Sequence, residues 1–587
     1  MYDRWSLDVF YKGIDDPNIE RDLAKLESLN AEYRNRVNSA TLDTPKATLR
    51  MIMELKEEIL NVSNRLYVYF RLRRSANSSD KEGDPYRTRI QKLLTANAKE
   101  DVLFKDYIGS IDNLEEIVKS DELLNEYAFY FKEIKEGLEH NMSSDGEYVF
   151  SQMAASGGLA WTEQYSYLMS HTEVDFRGEK KSMNALQAMA KSSDADIRKE
   201  VYEAQIANYP RISDALAYSV NNIKAQVLTE TELRGYKSPL DMTLASWRLK
   251  KDTLEAMWSA VKESFPKFRE YLKTKARLLG YEKGLPWYDI YAPLGKATQK
   301  EYTPKSAHEY LVEHFKAFSA DMSEMMDRAF KEEWIDFYSR AGKSGGAFCY
   351  NLTWFGESRI LTNFNGNFGA INTLAHELGH AFHGQQVKNN RPLNRAYGLP
   401  LAETASTFNE ILLMNGAIDK AEGEEKIALL DKQITDSLMI LPDMYVRYKT
   451  EDELIKRRKE KFVYADEINK LMTDTQKEVY GDALDNDYLY SYVWCDKSHY
   501  YSSQRSYYNF PYTFGGLFGR GLYAKYIEMG ESFVPKYREL LKATSTMSIE
   551  ECALIMGIDL TSPDFWRKSL QTIYDSIDLF IEETKNM

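Results

Sequence analysis

A chain of 587 residues exceeds the size at which one hydrophobic core stops growing, so two or more lobes are expected. Its net charge of −14 would repel a phosphate backbone, no stripe of lysine and arginine interleaves with aromatics, and no run approaches the roughly 20 apolar residues of a membrane span. Nucleic acid and membrane are therefore excluded as partners, and three widely spaced cysteines (Cys349, Cys495, Cys552) with a polar opening stretch carrying Asp8, Lys12, Asp15 and Asp16 predict a cytoplasmic protein with buried, unpaired thiols.

In chain order, apolar residues three and four apart among Leu, Met, Glu, Lys and Arg predict helices over 46–72, 86–104, 114–139, 197–228 and 306–330. Breaks fall at 75–85, at 143–147 and near 173–181, where Phe176-Arg177-Gly178-Glu179 predicts a hairpin or a loop. A boundary is placed near residue 185, giving an N-terminal helical lobe over 1–185 and a second domain over 186–587. With 15 prolines and few alternating runs, the fold class is mainly α. The pattern changes between 345 and 367, where 346–352 and 359–364 are short, glycine-bounded and rich in β-formers, and predict two strands of a small sheet. Asn365-Gly366-Asn367 ends the second strand, and a helix resumes over 373–388.

That helix contains His376-Glu377-Leu378-Gly379-His380, the H-E-x-x-H pattern. Residues four apart lie one above the other on a helix, so both imidazoles can hold one ion, while Glu377, about 100° round the axis, addresses a water on it. A catalytic zinc takes three protein ligands and leaves a fourth position to water. The position six beyond His380 is Gln386, which leaves the third ligand to come from another helix. Gly398-Leu399-Pro400 marks such a helix start, and Glu403, Ser406, Thr407 and Glu410 share one of its faces. Glu403 is the expected ligand, with Glu410 or Thr407 behind it. His383, three residues after His380, would close the site as a fourth protein ligand, so it is assigned a supporting or packing role.

These residues resemble the zinc oligopeptidases that include thimet oligopeptidase and, more closely, bacterial oligoendopeptidase F. The resemblance is carried by Thr373-Leu374-Ala375-His376-Glu377-Leu378-Gly379-His380-Ala381-Phe382-His383 and by the stretch from Glu403 to Glu410. It is carried further by His499-Tyr500-Tyr501 ahead of Tyr507-Tyr508-Asn509-Phe510-Pro511-Tyr512. It covers most of the C-terminal two thirds, while the first 185 residues match only in helical character. It implies two helical lobes flanking a deep substrate channel, a small β-sheet beside the motif helix, one zinc ion per chain on the channel floor, and short unfolded peptides as substrates. It also implies that His499, Tyr501 and Tyr508 face the substrate and stabilise the tetrahedral intermediate. Phe510 stands where some relatives place a tyrosine hydroxyl, so Tyr508 and Tyr512 compete as donors. A tyrosine hydroxyl, protonated at neutral pH, suits that part on chemical grounds alone.

The expected reaction is hydrolysis of an internal peptide bond, with Glu377 taking a proton from water and passing it to the leaving amine, and with 186–587 as the catalytic domain. The strand running through Asn363 and Phe364 is expected to pair with extended substrate at the sheet edge. The rival enzyme is a zinc carboxypeptidase or dipeptidyl carboxypeptidase, for which Arg505 and Arg520 would supply the grip on a terminal carboxylate. A peptide-binding scaffold without chemistry is disfavoured by Glu377 standing between two metal-spaced histidines.

Overall fold

Residues 3–296 and 301–587 are described in a computed structural model, and helical periodicity is realised along nearly all of them. The stretch 46–72 lies inside the helix Pro45–Ala76, which starts on a proline whose missing N–H costs nothing in the first turn. The stretch 114–139 divides into Leu114–Lys119, Glu122–Glu126 and Ala128–Leu138, because Asp121 turns its side chain onto the Leu124 N–H and caps a new helix. The break at 143–147 likewise starts a helix, with Ser143 accepting from the Gly146 N–H. Near 173–181 the chain forms a hairpin, β1 (Glu173–Phe176) and β2 (Glu179–Ser182). Its two turn residues, Arg177 and Gly178, have φ of 51° and 81°, the backbone of a two-residue turn that follows the twist of its strands.

By compactness the chain divides into two units, Met1–His140 with Gln299–Leu413 and Met529–Gly557, and Asn141–Thr298 with Met414–Glu528 and Ile558–Met587. The first unit holds the predicted sheet, whose strands are β3 (Ile335–Asp336), β4 (Phe348–Leu352) and β5 (Glu357–Leu361) in the order β3-β5-β4. β4 and β5 are antiparallel, from Phe348↔Leu361 to Leu352↔Glu357, and β3 runs parallel to β5. Leu352 and Leu361 enter a core with Trp5, Phe10, Leu66 and Phe70. A sheet face must be covered, and the N-terminal helices cover this one, which is why they share a unit with the motif.

One expectation is corrected here. β5 is the central strand, so 359–364 offers no free edge; Thr362 and Phe364 continue its pairing with N–H bonds to the carbonyls of Asp336 (2.9 Å) and Phe337 (2.8 Å). The outer strand is β4. Ile335–Asp336 is too short to show a period of two, which hid β3 in the sequence.

The motif helix, Phe368–Val387, begins earlier than expected because the Asn367 side chain accepts from the Ala370 N–H at 2.9 Å. It buries Ile371, Leu374, Ala375, Leu378, Ala381 and Phe382. In the second unit, Ser213–Leu233 and Pro442–Glu460 are joined by an ion pair, Lys224 to Glu451 at 2.6 Å, from which solvent is wholly excluded. No helix among the described residues is long and apolar enough to cross a membrane, and all three cysteines are free.

Candidate active site

In the first unit, one turn of the motif helix brings the Nε2 atoms of His376 and His380 to 3.2 Å. The Glu403 Oε2 stands 3.4 Å from the first and 3.5 Å from the second. Four-coordinate zinc with ligands about 2.0–2.1 Å away holds them about 3.3 Å apart, so this triangle has the dimensions of a zinc site. The charge fits as well: Glu377, Glu403 and Glu410 set three carboxylates around two imidazoles, an excess of negative charge that a divalent cation offsets in large part. Glu377 is 5% exposed, and its Oε2 is buried without a hydrogen-bond partner.

Electrostatics separate the groups. Burial opposes charge on His376, but Glu410, 3.1 Å from its Nδ1, together with the charges of Glu377 and Glu403, pushes its pKa up to about 9. Burial holds His380 down to about 4 against the pull of Glu403. Burial raises Glu377 to about 7, opposed by His376 and aided by Glu403 and Glu410. A carboxyl poised near neutrality can both take and give a proton at working pH.

Glu403 does not sit within a continuous helix, as the sequence suggested, but at the joint between Leu399–Ala402 and Thr404–Ile418. Its Oε2 accepts the Ser406 hydroxyl at 2.9 Å, while Thr407 touches it through the backbone, N–H to the Glu403 carbonyl at 2.9 Å. Ser406 is thus the hydroxyl that orients the carboxylate. Two glycines set the spacing of the elements. A Cβ on Gly379 would fall 2.6 Å from the Ala405 carbonyl oxygen, so only glycine lets the Glu403 segment lie this close to the histidines. A Cβ on Gly384 would fall 2.3 Å from Asn351, whose amide crosses from β4 to donate to the His380 carbonyl at 3.0 Å. Asn409 ties the same two helices together by donating to the Ala375 carbonyl at 3.1 Å. Asn351, Ser406 and Asn409 carried no functional assignment from sequence; Asn and Ser beside a motif are too common to signal one.

His383 faces away from the triangle. It is fully buried, its Nε2 meets the Thr544 hydroxyl at 2.8 Å, and its ring stacks on Tyr397 at 3.9 Å. Burial presses its pKa down to about 3. Asn363 spends its amide on the Ser344 and Gly346 carbonyls, at 3.1 and 2.8 Å, and Phe364 is buried against Phe337.

The late segment belongs to the second unit. His499 lies on the short turn Ser498–Tyr501, with its ring 5.5 Å from Tyr508 and 5.9 Å from Tyr512. Burial, reinforced by Arg447 and Lys497, lowers its pKa to about 4, which leaves a neutral imidazole. The loop before Tyr508 is fixed from behind: Tyr507 has φ of 57°, and Glu451 accepts its N–H at 3.0 Å and the Asn509 amide at 2.9 Å. Tyr501, expected at the substrate, is instead wholly buried and stacked on Tyr165 at 3.9 Å, which leaves Tyr508, half-buried, and Tyr512, exposed, as the candidates that solvent reaches. Arg520 is also buried and donates to the Ser437 hydroxyl at 2.8 Å, which removes it as a grip for a terminal carboxylate.

The profile of peptidase family M3 matches residues 188–572, and that of oligopeptidase F matches 110–173. Oligopeptidase PepF of Bacillus subtilis is 21% identical over 524 residues, covering 87% of this chain and 77% of its own. Group B oligopeptidase PepB of Streptococcus agalactiae is 25% identical over 537 residues, covering 88% and 87%. Among solved structures, a candidate peptidase from Chlamydophila abortus superposes with a TM-score of 0.86 at 19% identity, over 99% of this chain and 98% of that one. With a family profile spanning more than half of the sequence and a metal-spaced triad inside it, the chain belongs to peptidase family M3.

Proposed function

We propose that this protein is a zinc-dependent oligoendopeptidase, hydrolysing internal bonds of short unfolded peptides, with His376, His380 and Glu403 holding one zinc ion. Bound there, zinc supplies Lewis-acid polarisation of the scissile carbonyl and a more acidic water. The observation that carries the reading is the triangle of three donor atoms, 3.2–3.5 Å on a side, next to the unpartnered Glu377 oxygen. Glu377 takes the proton of the attacking water and returns it to the leaving amine. Glu410 engages the His376 Nδ1, so that the Nε2 lone pair is presented to the ion. An extended peptide adds to the outer edge of β4, the strand that Asn351 ties to the motif helix, and main-chain pairing of this kind makes sequence preference broad. His499 and Tyr508, with Tyr512 as the competing hydroxyl, donate to the developing oxyanion. All of these groups lie within 186–587, which we take as the catalytic domain, and the free thiols suit the cytoplasm.

The test is Glu377→Gln, which removes the proton acceptor and leaves the ligands in place. Zinc content should stay at one per chain while hydrolysis of a quenched peptide, blocked at both ends, falls by three orders of magnitude or more, on the order of a lost general base plus its positioning of water. Turnover near the parent level would overturn the mechanism. Failure of the parent enzyme to cut any doubly blocked peptide would overturn the endopeptidase reading in favour of an exopeptidase.

A further inference from the structure

Within the first unit, the helices Pro45–Ala76 and Asp84–Thr95 wall a groove of about 860 Å³, a volume in the range of ligand-binding clefts. Phe70 and Ile90, both buried, lie at its base. Tyr67, Arg71 and Arg74 line it from the first helix, at the spacings of four and three that put side chains on a common face. Lys92 lines it from the second.

The three cations are unmatched. Among the described residues Arg71, Arg74 and Lys92 form no ion pair, and no position three or four residues from any of them carries a carboxylate. Asp84, the acidic group in the wall, is already engaged by Arg87. Other cations of the same two helices do have partners: Arg50 with Asp121, Arg73 with Asp80, Arg89 with Glu20. In a chain of net charge −14, which repels acidic ligands as a whole, this groove is a local positive site. Arg71 and Arg74 also repel each other one turn apart, a cost that an arriving anion relieves.

The groove is tied to the strand that takes the peptide. Arg71 lays its guanidinium over the rings of Tyr350 and Tyr67, 5.4 and 6.0 Å from their centroids. Tyr350 belongs to β4, and the next residue, Asn351, is the one that reaches the His380 carbonyl. Ahead of β4, Ser344 lines the groove and donates its N–H to the Ser75 carbonyl at 2.9 Å, so the start of the strand and the arginine wall are fixed together. A guanidinium stacked on aromatic rings presents its N–H groups in a fixed plane, the geometry that matches the two oxygens of a carboxylate.

We propose that Arg71 and Arg74, with Lys92 opposite, form a subsite for an acidic side chain, Asp or Glu, of a peptide laid along β4, an inference that rests on the function proposed above. The side chain it takes lies beyond the stretch paired with the strand, remote from the scissile bond. The subsite therefore selects among internal sequences and makes no use of a chain terminus.

The experiment uses one peptide with a single scissile bond, neutral side chains and both ends blocked, in which Gln is replaced by Glu at one position after another on either side of the bond. At a position remote from the bond, on one side only, Glu should raise kcat/KM roughly threefold to tenfold over Gln, mainly through KM, as expected of a charge-assisted contact near the surface. That ratio should fall towards one in Arg71→Met and in Arg74→Met, and as salt is raised. It should hold in Arg89→Met, which removes a cation of the same helix that Glu20 holds outside the groove. No position favouring Glu, an equal gain at every position, or an undiminished ratio in both arginine variants would overturn the subsite, while cleavage of the neutral peptide still upholds the peptidase. Because each ratio is taken within one variant, a general loss of folded protein cancels. An enzyme that cuts neither the neutral peptide nor any Glu form overturns the function and the subsite together.

Discussion

Gly379 offers a direct test of how the metal triangle is held. Its absent Cβ would meet the Ala405 carbonyl oxygen at 2.6 Å, the Ser406 Cα at 2.7 Å and the Ala405 carbonyl carbon at 2.8 Å, all backbone atoms with no rotamer to yield. Ordinary contact begins near 3.4 Å, so in Gly379→Ala the Thr404–Ile418 helix must retreat by about 0.8 Å. Metal–ligand distances tolerate about 0.2 Å, and Glu403 is anchored beside the displaced residues, so its carboxylate leaves the triangle. Overpacking of this kind costs about 1–3 kcal/mol in stability. Zinc affinity should fall roughly 10- to 100-fold, the range of lost positioning around a metal, and turnover should fall with it. Competition with a chromophoric chelator measures the zinc affinity, and thermal melting of the chelated protein measures the loss of stability. Gly137→Ala is the control, since a Cβ there meets nothing within 4 Å. If Gly379→Ala binds zinc as the parent does, close approach of the two helices is not what sets the ligand spacing.

Glu403→Ala and His376→Ala should each lose zinc as well as activity through a missing ligand, whereas Glu410→Ala should weaken zinc only by the tenfold to hundredfold of an outer partner; normal zinc in Glu403→Ala with none in Glu410→Ala would mean the carboxylates had been assigned the wrong way round. His383 predicts a pH dependence: its folded pKa, about 3, lies below an unfolded value near 6.5, so the unfolded chain binds the extra proton and stability is lost as pH falls below 6.5. Between pH 7.5 and 5.5 the unfolding free energy of the chelated parent should drop by about 1.4 kcal/mol more than that of His383→Phe, and equal drops in denaturant titrations would refute it. Size selection is expected too, on a ladder of disordered substrates sharing one cleavage site: an abrupt loss of rate beyond some tens of residues would support it, and rates independent of length would reject it.

The sequence made the candidate metal site legible because its chemistry is local. His376, Glu377 and His380 are fixed by helical spacing alone, and Glu403 followed from a ligand still missing and a proline-marked helix start. Helical character was legible for the same reason, as were the two longer strands of the sheet, but the breaks that divide 86–104, 114–139, 197–228 and 306–330 were not, and at 173–181 the sequence left a hairpin and a loop both open. What stayed hidden is non-local. Nothing near Ile335 announces that it will pair with Ile360, so β5 read as an edge when it is the centre. Nothing near Tyr501 announces Tyr165, whose ring covers it from a helix more than three hundred positions away in sequence. Gly379 carried no signal either, since only the approach of the Ala405 backbone gives its missing side chain a meaning.

Glu451 and Arg505 stand on opposite sides of one design question, since Glu451 shapes the loop that presents Tyr508 while Arg505 lies on the face of that ring. The first pair of charges, Lys224 with Glu451, is sealed from solvent on both sides, so dissolved ions do not reach it. The guanidinium of Arg505 is exposed and feels every change in ionic strength. Salt should therefore leave the geometry of the late loop unchanged, because the pair that holds it never meets the medium.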